Sequence, residues 1–281
     1  MSIGLILEGG GMRGIYTAGV LDFFMDKNIS FPQVYGVSAG SCHACSYLSG
    51  QRGRAFRIST AYLRDKRYCS VYSLLTTGDL FGAKMCYDDI PNQLDPYDYE
   101  AYKQYDGSFY AVVTNCATGQ AEYMQVTDMA RDIIAVRASS SLPLLSKNVI
   151  INGQEYLDGG IADSIPLAES IKNGNVKNVL VLTQCATYEK QPNELLPLIR
   201  RKYRRYPNLV EAVATRHIRY NETLRHVREE QEKGNAFVIR PKATPGVRNV
   251  EKDIPKLRTL YDQGYADAVD CYEDLLSFLE T

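Results

Sequence analysis

The sequence predicts an α/β protein built on a mostly parallel sheet covered by helices, and three observations carry that prediction. The run IGLIL, residues 3–7, is apolar throughout and closes on glycines, as a strand buried on both faces does. Residues 12–28 then place Ile15, Ala18, Val20, Leu21, Phe24 and Met25 at helical spacing. A second short run, QVYGV, leads through Ser38 into a helix of small residues, AGSCHACSYLSG. Strand, glycine turn and helix, twice over, is the alternation that builds a parallel sheet.

The later elements follow in order. Residues 51–108 read as mostly helical, polar and tyrosine-rich, interrupted by Pro91 and Pro96. In SFYAVVTNCATGQAEYMQV, β-branched and aromatic runs flank ATGQ, a hairpin pattern. TDMARDIIAVRASSS reads as a helix capped by Thr127. NVIINGQEYLDGG is a second hairpin turning at Asn152-Gly153, and its second arm runs into Asp158. KNVLVLTQ is a further buried strand, residues 193–233 a charged helical stretch, and AFVIR a last short strand. Residues 255–280 predict one amphipathic closing helix with Pro255 in its first turn. The expected division is a core over residues 1–185 and a mostly helical extension over 186–281 packed on it.

Composition narrows the function. With 45% hydrophobic and 23% charged residues and a formal net charge of -1, the chain has no bias toward nucleic acid. Seven cysteines, an odd number, do not read as a disulfide framework. The opening MSIGLILEGGG has no basic region, and no apolar run reaches the length of a membrane span. The expected location is cytoplasmic, with at most transient contact at a membrane surface.

Two glycine turns and one aspartate carry the candidate chemistry. In EGGGMRG, Gly9, Gly11 and Gly14 fit G-x-G-x-x-G between a strand and a helix. Exposed amides at a helix N-terminus hold an anion. No Lys-Ser/Thr pair follows, so this is not a P-loop. The acidic residue of a dinucleotide site is also missing from the end of the second strand. GVSAG places Ser38 between Gly36 and Gly40 after a strand and before a helix, the context of a nucleophile elbow. In YLDGG, Asp158 enters a turn at Gly159 and Gly160. A serine hydroxyl needs a base. The chain has three histidines: His43 on the elbow helix, and His217 and His226 in a charged helical stretch. Each reads as a surface residue rather than a catalyst. The segment VIRPKATPG, where an α/β-hydrolase would carry its histidine, has none. A Ser38–Asp158 dyad fits better, with Asp158 arriving from a third strand-to-helix turn and its basicity raised by burial.

These residues resemble the patatin-like phospholipases. EGGGMRG looks like that family's oxyanion loop, GVSAG its elbow and DGG its dyad turn; AVRASSSLP, FYAVVTNCATGQ and GGIADSIP also resemble family stretches. The likeness covers about residues 3–185. It implies a three-layer α/β/α sandwich, with Ser38 as nucleophile and Asp158 as general base. It implies that backbone amides of Gly10, Gly11 and Met12 stabilise the oxyanion. Arg13 matches the loop arginine, which either orders the loop or binds a substrate phosphate. Neither metal nor cofactor is implied, no partner protein, and a lipid ester as substrate.

The expected activity is a serine acyl hydrolase on phospholipid or lysophospholipid esters. The alternatives are an acyltransferase or thioesterase with the same dyad, and a catalytically silent lipid-binding module. Two motifs stay outside this reading. Cys42-His43-Ala44-Cys45 has no second ligand pair and reads as helix packing. RRKYRRYP, residues 200–207, suits either an anionic lipid surface or a solvated helix face.

Overall fold

The computed structural model describes residues 2–244 and 246–280. Among them, eight strands form one sheet: β1 (Ile3–Leu7), β2 (Gln33–Val37), β3 (Ser108–Asn115), β4 (Ala121–Val126), β5 (Val149–Ile151), β6 (Gln154–Asp158), β7 (Lys177–Val181) and β8 (Ala236–Ile239). β3, β2, β1, β7 and β8 lie side by side in that order, all parallel. β4 and β6 pair with β3 antiparallel, and β5 with β6.

The helices are α1 (Ile15–Asp26), α2 (Ala39–Leu48), α3 (Arg54–Ala61), α4 (Val71–Thr77), α5 (Tyr99–Lys103), α6 (Met129–Ser139), α7 (Leu167–Lys172), α8 (Leu196–Lys202), α9 (Pro207–Glu232), α10 (Ile254–Asp270) and α11 (Tyr272–Glu280). Side chains alternate across a strand, and β1 shows the result. Leu5 and Leu7 pack with α1, α2 and α10 in one core, while Ile6 packs with α7 and α9 in another. Burial on both faces explains why the strand is apolar at every position. The molecule is a three-layer α/β/α sandwich. No helix among the described residues is long and apolar enough to cross a membrane.

Several local expectations are refined. Asn152 (φ 52°) and Gly153 (φ 78°) both occupy the left-handed region between β5 and β6, as a two-residue hairpin turn requires. The cap of α6 is Asp128, not Thr127: the Asp128 carboxylate accepts from the amides of Ala130 and Arg131. Thr127 instead gives its amide to Asp132. The closing helix is two helices, α10 and α11, broken at Cys271. Residues 193–233 split likewise before Pro207, which starts α9. Between α4 and α5, Met85–Leu94 winds as a π-helix around Pro91.

The C-terminal segment is woven into the sandwich. It supplies β8 to the sheet, α9 to one layer and α10 against α1 in the other.

Candidate active site

Ser38 caps α2 immediately after β2, with φ 54° and ψ -122°. A non-glycine residue with such a backbone is strained by about 1–3 kcal/mol and must be held there by its surroundings. Besides the Ser41 and Cys42 amides, which donate to its carbonyl, three side-chain contacts hold it. Its amide donates to Ser139 Oγ at 2.9 Å, Ser41 Oγ donates to its carbonyl at 2.8 Å, and its own hydroxyl donates to Asp158 Oδ2 at 2.6 Å. Gly36 and Gly40 let the turn close: a β-carbon on Gly40 would lie 2.3 Å from the Leu7 carbonyl oxygen, and one on Gly36 2.5 Å from Ser41 Cα.

The glycine loop lies directly against this serine. A β-carbon on Gly9 would stand 2.8 Å from Ser38 Cβ. Gly11 has φ +56° and packs against the Asn249 backbone, where a β-carbon would come within 2.5 Å of the carbonyl oxygen. That conformation leaves the Gly10 and Gly11 amides without a partner in the protein among the described residues. Met12 differs from the expectation. Its amide donates to the Asn249 carbonyl at 3.0 Å, so it is committed to holding the loop. Gly14 packs on Ala39 and His43, joining loop to elbow helix rather than facing a ligand.

Asp158 reaches Ser38 from the end of β6, an antiparallel strand that turns at once into the short 3-10 helix Gly159–Ile161. β2 and β6 occupy the same edge of β3, because β4 takes the other edge throughout. β2 ends with Val37 opposite Val112, and β6 ends with Asp158 opposite Val113. The two strands therefore meet end to end. Asp158 is 2% exposed. Its Oδ1 accepts from the Gly160 amide at 2.8 Å, and its own amide donates to the Ser141 carbonyl at 2.8 Å. Burial raises its pKa above the ordinary carboxylate value, opposed by the Ser38 hydroxyl, Arg216, the Gly160 amide and Lys190. Gly159 packs on the Val112 carbonyl, so the turn after Asp158 sits flush on β3.

Two cavities share Ser38, Gly11 and Leu142. One, of about 160 Å³, is mainly apolar, with Met12, Ile15, Tyr68, Phe81, Met129 and Val136 in its wall. The other, of about 80 Å³, is polar and contains Asp158, Arg13, Lys190 and Arg216.

Among the described residues, no histidine hydrogen-bonds Ser38. His43 is no surface residue: it is 6% exposed, in the wall of the apolar cavity, and burial pushes its pKa down to about 4. Cys45, two residues further on, is buried against Met129. Among the described residues, no cluster of three or more metal-ligating side chains occurs. The basic run 200–205 is exposed except for Tyr203.

Residues that sequence reasoning missed surround this site. Glu8, 3% exposed, accepts from the Thr183 amide at 2.7 Å and from the Tyr220 hydroxyl at 2.6 Å. The site thus draws Lys190, Arg216, Tyr220 and Asn249 from beyond residue 185.

A sheet that delivers a strained serine at the tip of a strand-to-helix turn places the molecule among α/β proteins of the nucleophile-elbow type. Within that class, the chain belongs to the patatin-like phospholipase family, whose model matches residues 5–171. A second model, described as a domain of unknown function (DUF6363), matches residues 206–280. The chain is 31% identical over 188 residues to the uncharacterized protein YjjU of Escherichia coli, covering 64% of this chain and 52% of YjjU. It is 23% identical over 201 residues to the lysophospholipase NTE1 of Candida albicans, covering 68% of this chain and 14% of that protein. It is also 23% identical over 212 residues to the probable lipid hydrolase 463L of Invertebrate iridescent virus 6, covering 66% and 71%. The chain thus spans about half the length of YjjU and a small fraction of NTE1. A crystal structure of VipD from Legionella pneumophila superposes with a TM-score of 0.48 at 14% identity, over 97% of this chain and 67% of that one.

Proposed function

We propose that the protein hydrolyses carboxylic esters of lipids, of the phospholipid or lysophospholipid class, through an acyl-enzyme on Ser38. The observation that carries this reading is the 2.6 Å hydrogen bond from Ser38 Oγ to a buried Asp158, beside an apolar cavity and against free loop amides.

The acyl chain lies in the apolar cavity. Ser38 Oγ attacks the ester carbonyl and gives its proton to Asp158. The oxyanion is stabilised by the Gly10 and Gly11 amides, where one such donor is typically worth about 10²–10³ in turnover. Collapse expels the alcohol, which takes the proton back from Asp158. Water, deprotonated by the same carboxylate, then releases the acid and restores Ser38. Gly9 admits the loop to the serine, and Gly159 and Gly160 set the carboxylate. We assign the protein to a reducing compartment such as the cytoplasm, in keeping with its seven free cysteines.

Hydrolysis of p-nitrophenyl esters of increasing chain length, wild type beside Ser38→Ala, tests the reading. Activity that disappears with Ser38 supports it. Folded wild-type protein that neither hydrolyses any ester nor reacts with a fluorophosphonate probe would point to a silent binding module instead.

A further inference from the structure

The polar cavity holds three cations, Arg13, Lys190 and Arg216. Among the described residues, none of them forms an ion pair. Nε of both Arg13 and Arg216 is buried without a hydrogen-bond partner. The Arg216 head donates a long hydrogen bond, from Nη2 to Ser164 Oγ at 3.5 Å. Lys190 Nζ faces the ring of Tyr220 at 4.5 Å and that of Tyr188 at 5.9 Å.

Two carboxylates also line the cavity, and both are occupied by neutral donors. Glu8 is taken by Tyr220 and Thr183, and Asp158 by Ser38 and the Gly160 amide. Three converging cations against two carboxylates leave this small polar space with an excess of positive charge, which an anion joining them would offset. Guanidinium and ammonium groups together are the usual chemistry for a phosphate.

We propose that Lys190 and Arg216, with Arg13, form a subsite for a phosphate group carried on the alcohol part of the lipid substrate. This rests on the hydrolase reading for its geometry: with the acyl chain in the apolar cavity, the alcohol falls into the polar one that shares Ser38. The subsite selects lipids with an anionic phosphate over neutral glycerides. Lys190 and Arg216 lie outside the segment matched by the phospholipase model, so the C-terminal part of the chain sets the selectivity. Burial and the facing Arg216 push the Lys190 pKa down to about 7, with Arg13 adding to this and Glu8 and Asp158 opposing it. An arriving phosphate therefore keeps this lysine protonated near neutral pH.

The test measures binding without turnover. Full-length Ser38→Ala protein is titrated by calorimetry with 1-octanoylglycerol 3-phosphate and with 1-octanoylglycerol. The phosphate lipid is expected to bind at least about tenfold more tightly. Adding Lys190→Met or Arg216→Gln should remove most of that difference, and Arg216→Lys should restore part of it, which a merely unfolded variant would not do. Equal affinity for the two lipids, or a preference that survives both substitutions, overturns the proposal. Inorganic phosphate binding as tightly as the phosphate lipid overturns the assignment to a lipid. If ester hydrolysis fails while the preference holds, the subsite stands and only the hydrolase reading falls.

Discussion

Val37 and Asp158 occupy consecutive places along one edge of β3, opposite Val112 and Val113, on strands that run toward each other. The strain at Ser38 and the burial of Asp158 are both consequences of this meeting. One strand must turn sharply away, and the other must end inside the protein.

Asp158→Asn should abolish ester hydrolysis and raise thermal stability. Burial raises the Asp158 pKa, so its charged form is disfavoured in the folded state. The stability associated with this residue is present in acid and is lost as pH rises through the raised value. Asparagine removes that cost, and the midpoint of unfolding at pH 7 should rise. A variant that melts below wild type would contradict the account.

The acid limb of kcat/KM on a neutral ester should lie above 3.8, the ordinary value for an aspartate. Arg216 helps to hold the carboxylate charged. In Arg216→Gln the limb should therefore move to higher pH. A limb that stays in place or moves down would show that Asp158 is not the titrating group.

Ser139→Ala should lower stability by about 1–3 kcal/mol, because the buried Ser38 amide loses its acceptor. The elbow would relax with it. Fluorophosphonate labelling of Ser38 should slow, and kcat should fall more than KM rises. Unchanged labelling would mean that the elbow does not depend on this contact.

His43 should make the protein acid-sensitive. Its pKa is about 4 in the fold and about 6.5 when unfolded. The stability this neutral imidazole confers is present above pH 6.5 and is lost as pH falls toward 4, amounting to about 3 kcal/mol at the lower end. Chemical denaturation at pH 7 and pH 4.5, wild type beside His43→Gln, measures it. The drop between the two pH values should shrink in the variant; an equal drop in both would place the sensitivity elsewhere.

The candidate site's local geometry was legible in the sequence because backbone conformation is written in local residues. Gly9, Gly11, Gly36 and Gly40 announce turns and close approaches, and Ser38 and Asp158 sit beside them. What stayed hidden depends on distance along the chain. Glu8 meets Tyr220 across 212 residues, and nothing near Tyr220 marks it. Arg216 reads as one more charge on a charged helix until α9 is laid across the sheet. The meeting of β2 and β6 was invisible for the same reason, since a hairpin pattern does not say which edge it joins. His43 reads as a surface residue yet is buried, on a helix of small residues, the composition of a helix packed closely on every side. The break at Cys271 left no mark, because the amphipathic pattern continues through it.

The ties that hold the glycine loop carry a consequence for the timing of synthesis. The loop leaves the ribosome well ahead of its side-chain anchor Tyr220, 212 residues beyond Glu8, and of its backbone anchor Asn249, which follows later still. A nascent chain therefore carries Ser38 long before anything fixes the amides above it. On the proposed mechanism, the growing polypeptide stays harmless to the lipids around it until the segment carrying both anchors has been translated.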